Sequence, residues 1–190
     1  MELDGEGEAV FDDAWLSPSE ADAALAAILG EVPWRQDAIT LFGRRVLQPR
    51  LSAWMGDPGA VYTYSGLTLA PLAWTPGVAA LLARARATTG AEYNSVLLNL
   101  YRDGSDSMGM HADDERELGP APNIASVSLG ATRAFVMKPR KKKRAPVRLE
   151  LTHGSLLVMR GETQRHWVHG VPKQARVTEP RVNLTFRTIF

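Results

Sequence analysis

The chain contains no cysteine. That excludes disulfides, iron–sulfur clusters and thiolate-bound zinc, so a bound metal would need histidine or carboxylate ligands. A reducing, cytoplasmic setting is the expectation that fits. No segment approaches the ~18 consecutive apolar residues of a membrane helix, so no membrane partner is expected. The acidic stretch from Met1 to Glu8 lacks the basic-then-apolar order of a secretory signal. There is no internal repeat and no linker long enough to divide the chain. Histidine is scarce, with four in 190 residues.

What is present suffices for one domain with a real core: 190 residues, 45% of them hydrophobic. The net charge of +1 conceals a division. Residues 138–190 carry 13 Lys/Arg against 3 Asp/Glu, a balance of +10, and residues 1–137 carry 9 against 18, a balance of −9. A basic C-terminal part suggests an anionic partner on one face. The densest run is Lys138-Pro139-Arg140-Lys141-Lys142-Lys143-Arg144. Taken alone it is as well explained by a solvated loop between two strands.

Residues 1–14 read as a flexible acidic tail, followed by one domain over 15–190. Ser17-Pro18-Ser19-Glu20 is a helix start, with a Ser cap, Pro at the first position and Glu three residues after the cap. The helix should run to Leu29 and stop at Gly30. Thr75 and Pro76 open a second helix that Gly90 closes. The segment between, 38–74, reads as strands and turns, with Gly56-Asp57-Pro58-Gly59 a strong turn signal. It is aromatic, with Trp54, Tyr62, Tyr64 and Trp74. Beyond residue 91, short strands are expected near 94–102, 108–113, 123–129, 133–138, 147–152, 155–160, 166–170 and 181–189. The fold class is therefore mainly β with flanking helices (α+β), a β-sandwich or jelly roll.

Two strands carry chemistry. Val182, Leu184, Phe186 and Thr188 alternate with Arg181, Asn183, Thr185 and Arg187, so the first set faces a core and the second faces away. Asn99 and Tyr101 likewise share a face with Leu97. Facing each other, two such strands would line a polar pocket. Arginine binds carboxylates bidentately and stays charged, so Arg181 or Arg187 suits a dicarboxylate. His111 and Asp113 are two apart, and on a strand they point the same way. A second, distant histidine would complete a two-His, one-carboxylate set with open positions, typical of non-haem Fe(II) oxygenases. His153 precedes Gly154 at a strand junction and reads as structural. His166 and His169 are three apart and face opposite ways on a strand, and spacing does not choose between them.

Six separated motifs, in order, resemble AlkB-type dioxygenases, closest to the members that repair alkylated nucleic acids. They are Asn99-Leu-Tyr101-Arg-Asp-Gly104, His111-Ala-Asp113-Asp114-Glu115, Ile124-Ala-Ser-Val-Ser-Leu-Gly130, His153-Gly-Ser-Leu-Leu-Val-Met159, His169-Gly-Val-Pro172 and Arg181-Val-Asn-Leu-Thr-Phe-Arg187. The resemblance covers about residues 38–190. It implies a double-stranded β-helix core over 93–190, with helical support and an N-terminal nucleotide-recognition lid over 15–92. It implies Fe(II) on His111, Asp113 and His169, with 2-oxoglutarate and O2 as cosubstrates. Asn99, Tyr101, Arg181, Thr185 and Arg187 would hold 2-oxoglutarate, with Asn183 close by. Two oxygens of 2-oxoglutarate and one O2 would complete the iron. Decarboxylation to succinate and CO2 would then be coupled to hydroxylation of an N-alkyl group, which leaves as an aldehyde.

The implied substrate is DNA, and RNA as a second choice, carrying bases such as 1-methyladenine or 3-methylcytosine, and the implied role is direct-reversal repair by a monomer. Trp54, Tyr62, Tyr64 and Ser65 match the family's base-recognition elements, and Tyr64 opposite His111 would clamp a flipped base. Asp114 and Glu115 would favour the cationic methylated base. Phe42 aligns with a residue that relatives push into the duplex, although core packing explains it equally well. Arg44, Arg45, Arg50 and the 138–144 run would then meet phosphates. The alternatives are a dioxygenase acting on protein or a small molecule, a nucleic-acid-binding module without catalysis, and a zinc hydrolase, which leaves Arg181 and Arg187 unexplained.

Overall fold

A computed structural model describes residues 3, 7–41, 43–64, 67–141 and 144–190. Its strands are β1 (Glu8–Asp12), β2 (Ala38–Leu41), β3 (Arg44–Leu47), β4 (Leu51–Gly56), β5 (Tyr62–Tyr64), β6 (Leu67–Leu69), β7 (Ser95–Tyr101), β8 (Met108–His111), β9 (Ile124–Gly130), β10 (Arg133–Pro139), β11 (Val147–Leu151), β12 (Ser155–Arg160), β13 (Trp167–Val171) and β14 (Arg181–Arg187). The helices are α1 (Pro18–Glu31), α2 (Pro76–Thr89) and the single-turn α3 (Thr163–His166). All eight strands expected beyond residue 91 are present.

The strands form a six-stranded sheet in the order β1-β12-β9-β14-β7-β4 and a four-stranded sheet in the order β11-β10-β13-β8, with antiparallel pairing throughout. The pairs β2–β3 and β5–β6 are separate hairpins. Two facing antiparallel sheets with such crossovers make the expected jelly roll.

The side-chain period of two places the core. Val182, Leu184 and Phe186 of β14 join Val96, Leu98 and Leu100 of β7 and Ala125, Val127 and Leu129 of β9 in one apolar layer. Ile28 of α1 and Val78, Leu81, Leu82 and Ala85 of α2 cover that layer. The opposite faces of the same strands look toward the four-stranded sheet. There a second apolar cluster, including Leu157, Met159, Phe135, Met137 and Trp167, seals part of the gap between the sheets. The remainder of that gap is polar.

Helix α1 begins as its sequence dictates. Ser17 Oγ accepts from the Glu20 amide, and a Glu20 carboxylate oxygen accepts from the Ser17 amide at 2.8 Å. It runs past Gly30, which has no atom near the Cβ it lacks. The helix stops at Val32, extended because Pro33 follows. Helix α2 ends at Gly90 with φ of 70°, as its sequence predicts.

Two expectations of domain layout change. The acidic tail does not hold for residues 8–12. They form β1, an edge strand paired with β12, with Ala9 buried and Glu8 ion-paired to Arg160 at 2.5 Å. The division at residue 92 is not structural either, because β4 lies in the main sheet with Leu51 opposite Leu100.

Gly130 ends β9 with φ of +86°, and a Cβ there would lie 2.4 Å from the Pro180 carbonyl oxygen. Gly130→Ala is expected to cost about 1–3 kcal/mol in a urea titration, since both the conformation and the space oppose a methyl group.

Candidate active site

Register explains why one face of the six-stranded sheet is polar. Arg181 sits opposite Tyr101 and Asn183 opposite Asn99 on β7, while Asn183 faces Ser128 and Thr185 faces Ser126 on β9. Directly paired residues share a face, so all of these side chains turn toward the four-stranded sheet. Between the sheets lies a small, partly open cavity. Its walls include Asn99, Tyr101, Asn183, Thr185 and Arg187 on one side and His111, His169, Met108 and Phe135 on the other.

The metal ligands come from the second sheet. His111 ends β8 and stands in register opposite His169 on β13. Their rings are 4.4 Å apart, and the His169 ring stacks on Phe135 at 5.2 Å. Asp113 lies two residues past the end of β8. Its backbone N–H donates to the buried Gln164 Oε1 at 3.0 Å. His111 Nε2 is 3.6 Å from Asp113 Oδ1, and His169 Nε2 is 3.9 Å from Asp113 Oδ2. One ligand atom from each residue lies within 4.8 Å of the others, and among the described residues this is the one histidine–carboxylate group so arranged. His111 Nδ1 lies 2.9 Å from the Gly109 carbonyl oxygen. As a donor there it leaves the Nε2 lone pair for a metal.

Electrostatics prepares these groups for binding. Burial raises the carboxyl pKa of Asp113, but Arg187, His169 and His111 outweigh it and hold it at about 2. Burial, the neighbouring His111 and Arg187 lower His169 to about 3 against the pull of Asp113, so its imidazole is neutral, the form that ligates. Asp113 Oδ2 and His169 Nδ1 are buried without a hydrogen-bond partner. A buried carboxylate oxygen left over beside two imidazoles fits a divalent metal, and two nitrogens with one carboxylate fit Fe(II) with open positions.

A buried cation stands against Tyr101, which lines the cavity. Arg181 is 1% exposed. Its Nη2 donates to Ser128 Oγ at 2.9 Å, while Nε and Nη1 are buried without a partner. Its Cζ lies 5.2 Å from the Tyr101 ring centre. Burial lowers its pKa to about 10, helped by Arg133 and opposed by Tyr101, so it remains a cation at neutral pH. Two idle donors on a buried cation fit a carboxylate that the chain does not itself provide. Arg187 differs from the expectation of a cosubstrate contact alone. It lines the cavity, but its Nη2 donates to Asp113 Oδ1 at 2.9 Å.

The other predicted residues divide. Of the histidine pair, His169 joins the metal group, while His166 closes α3 and meets Glu162 at 3.0 Å. His153 is structural as expected, with Nδ1 accepting from the Gly130 amide at 2.8 Å. Trp54 is not on the cavity wall. It is 3% exposed, packs with Leu97, Leu118 and Ile189, and donates from Nε1 to the Ala60 carbonyl. Asp114 is exposed and ion-paired with Arg140 at 2.5 Å, and Glu115 is half-buried before a 3-10 turn at Arg116–Leu118. Tyr62 and Tyr64 belong to the β5–β6 hairpin. Phe42, Ser65, Lys142 and Lys143 lie outside the described residues. Arg44 and Arg45 are exposed on the β2–β3 hairpin, whereas Arg50 is buried and donates to Asn99 Oδ1 at 2.7 Å, which removes it from phosphate contact.

Sequence reasoning gave Arg50 another role and missed Gln164, because the partner of each lies about fifty residues away. It also missed Ser126 and Ser128, although the alternation in Ile124-Ala-Ser-Val-Ser-Leu-Gly130 held that signal.

A three-ligand metal group with open positions, set between two antiparallel sheets beside a buried cation awaiting a carboxylate, defines a non-haem iron oxygenase that uses a 2-oxo acid. The comparisons agree. The model of the 2OG-Fe(II) oxygenase superfamily matches residues 9–187. The DNA oxidative demethylase ALKBH2 of Mus musculus is 45% identical over 181 residues, covering 90% of this chain and 76% of that protein. The alpha-ketoglutarate-dependent dioxygenase alkB homolog 3 of Homo sapiens is 44% identical over 180 residues, covering 90% of this chain and 62% of that protein. The solved structure of OsALKBH1 shares the fold, with a TM-score of 0.65 at 18% identity over 95% of this chain and 97% of that one. The chain belongs to the 2OG-Fe(II) oxygenase superfamily, in its AlkB-type branch. It is an Fe(II)- and 2-oxoglutarate-dependent dioxygenase, with O2 as the second cosubstrate.

Proposed function

We propose that the protein oxidatively dealkylates nucleobases in DNA, reversing damage such as 1-methyladenine and 3-methylcytosine. The observation that carries this is the His111–Asp113–His169 group on the wall of a cavity that Tyr101 also lines, with the buried Arg181 against that Tyr101 ring, in a chain 45% identical to a DNA oxidative demethylase.

In this reading His111, Asp113 and His169 hold the iron, which supplies the oxidising chemistry once 2-oxoglutarate and O2 are bound. Arg181 takes the distal carboxylate through its two idle donors, and Tyr101 stands beside it. Asn99, Asn183 and Thr185 line the space between. Arg187 holds Asp113 ionised and oriented, and would add positive charge to the cavity wall for the other carboxylate of the cosubstrate. Phe135, stacked on the His169 ring, gives that ligand an apolar backing.

Substrate contacts are assigned to the open side of the metal. Tyr62 and Tyr64 of the β5–β6 hairpin, Ser65, which follows Tyr64 in the chain, and Asp114 and Glu115 after the metal loop would receive the flipped base. The β2–β3 hairpin, with exposed Arg44, Arg45, Val46 and Leu47, carries both charge and apolar surface for a duplex. The basic run 138–144 adds affinity that does not depend on sequence. Among the described residues no helix is long and apolar enough to cross a membrane.

The test is an oligonucleotide panel, single- and double-stranded, DNA and RNA, each with 1-methyladenine or 3-methylcytosine. Supplied with Fe(II), 2-oxoglutarate and air, the protein is expected to release succinate and formaldehyde in equal amounts from the methylated DNA. Turnover of 2-oxoglutarate with no base product from any strand would move the substrate to protein or a small molecule. Salt-sensitive binding with no 2-oxoglutarate turnover would leave only a nucleic-acid-binding module.

A further inference from the structure

Arg133 opens β10 and is fully buried, yet no carboxylate accepts any of its hydrogen bonds. Its Nε donates to Gln174 Oε1 at 3.2 Å, Nη1 to the Asp103 carbonyl at 3.0 Å, and Nη2 to the Asp106 and Pro172 carbonyls at 2.8 and 2.9 Å. The Asp106 carboxylate is already engaged by Arg102, through Nε and Nη2 at 2.8 Å each and the backbone N–H at 2.9 Å. Asp103 and Asp106 attract Arg133 only at longer range. The carbonyl dipoles solvate the guanidinium, but its positive charge is left uncompensated by contact.

The location of that charge gives it a role. Arg133 Cζ lies 5.4 Å from the Tyr101 ring centre, the ring that Arg181 approaches to 5.2 Å. Register explains the meeting: Arg181 stands opposite both Tyr101 and Gly130, and the short turn from Gly130 to Arg133 carries the chain from there into the four-stranded sheet. Two buried cations therefore share one aromatic ring. The acceptors of Arg133 also matter. Asp103 and Asp106 follow the strand that ends in Tyr101, and Pro172 and Gln174 follow the strand that carries His169. One guanidinium thus ties together the ends of the strands bearing the cosubstrate anchor and a metal ligand. Gln174 is fixed in turn, since its Oε1 also accepts from the Ala134 amide at 2.7 Å and its own amide donates to Gly104 O at 2.9 Å.

We propose that Arg133 is a positioning residue for the cosubstrate: it braces Tyr101 and adds a second positive charge behind Arg181, so that preference for a dicarboxylate depends on a residue outside the cavity. This rests on the reading that Arg181 receives the distal carboxylate. The added charge acts on a ligand whose far end is anionic, and has little hold on one that occupies only the metal end.

The test compares two ligands on the full chain loaded with Mn(II), by calorimetric titration, with circular dichroism confirming the fold of each variant. Oxalate offers its carboxylates to the metal and has no distal end, whereas 2-oxoglutarate has both. Arg133→Gln is expected to raise the Kd of 2-oxoglutarate about tenfold, the scale on which outer partners act at such sites, with oxalate changed less than about twofold. Arg133→Lys, which keeps the charge, is expected to recover most of the difference. Gln174→Ala, which leaves the cation but removes one acceptor, should weaken 2-oxoglutarate by a smaller factor and keeps the question open to test if Arg133→Gln does not fold. Equal weakening of both ligands, or no change in either, overturns the proposal. Arg181→Met separates it from the reading beneath: if that variant binds 2-oxoglutarate as the unsubstituted protein does, the anchor itself is misassigned. If it loses 2-oxoglutarate while the Arg133 variants keep it, only the role of Arg133 falls.

Discussion

Asp113→Ala is expected to abolish succinate release and to weaken metal binding by well over tenfold, because it removes a ligand and the negative charge of the site. The same substitution should also destabilise the fold. Asp113 is 2% exposed and accepts from Arg187, itself 2% exposed, at 2.9 Å. Breaking a buried ion pair by removing one partner costs up to about 3–5 kcal/mol. Loss of activity in the alanine variant alone would therefore confuse chemistry with folding. Asp113→Asn separates them. The amide oxygen can still accept from Arg187, and the side chain keeps its volume, so the urea midpoint should lie between those of the unsubstituted and alanine proteins. Turnover should remain absent in both variants. A folded Asp113→Asn protein with full succinate release would remove Asp113 from the metal site.

The sequence showed the faces of strands better than it showed what lies beside them. In β14 the alternation of Val182, Leu184 and Phe186 with Arg181, Asn183, Thr185 and Arg187 is a local property of extended chain, so it assigned a core side and a cavity side without knowledge of neighbours. The choice between His166 and His169 was not local. It turned on α3, a four-residue helix too short to have a period, which takes His166 off the strand. Composition misled at the N-terminus, where acidic residues concealed the alternation of Ala9 and Phe11 toward the second apolar cluster. An aromatic residue in a recognition segment likewise gives no orientation, and Trp54 points into packing. The buried braces were least visible. Arg50 meets Asn99, Gln164 meets the Asp113 amide, and Arg133 meets Gln174 across separations of 41 to 51 residues. Each becomes a pair only when the sheets close.

Arg181→Met is expected to change stability and cosubstrate binding in opposite directions. The buried Arg181 cation has one hydrogen bond to Ser128 and two nitrogens without partners. Its burial, with Arg133 nearby, lowers its pKa to about 10, and Tyr101 only partly opposes this. A cation whose pKa falls on folding destabilises the folded state. That penalty is fully present below the folded value of about 10 and disappears as the pH rises past the unfolded value, so at neutral pH it is paid in full. Methionine removes it while filling much of the same volume, and such exchanges are often neutral or stabilising. The metal-loaded variant without 2-oxoglutarate should therefore melt at the same temperature as the unsubstituted protein or above it. With 2-oxoglutarate at about 100 times its Kd, the unsubstituted protein should gain about 2.7 kcal/mol, which for a chain of this length is about 5–10 °C. The methionine variant should gain almost nothing. Its KM for 2-oxoglutarate should rise roughly 30-fold or more, as expected when a buried charge-assisted contact worth about 2–5 kcal/mol is removed. A variant that melts far lower yet keeps the 2-oxoglutarate shift would make Arg181 a structural cation. The dicarboxylate would then have to be held by another residue of the cavity.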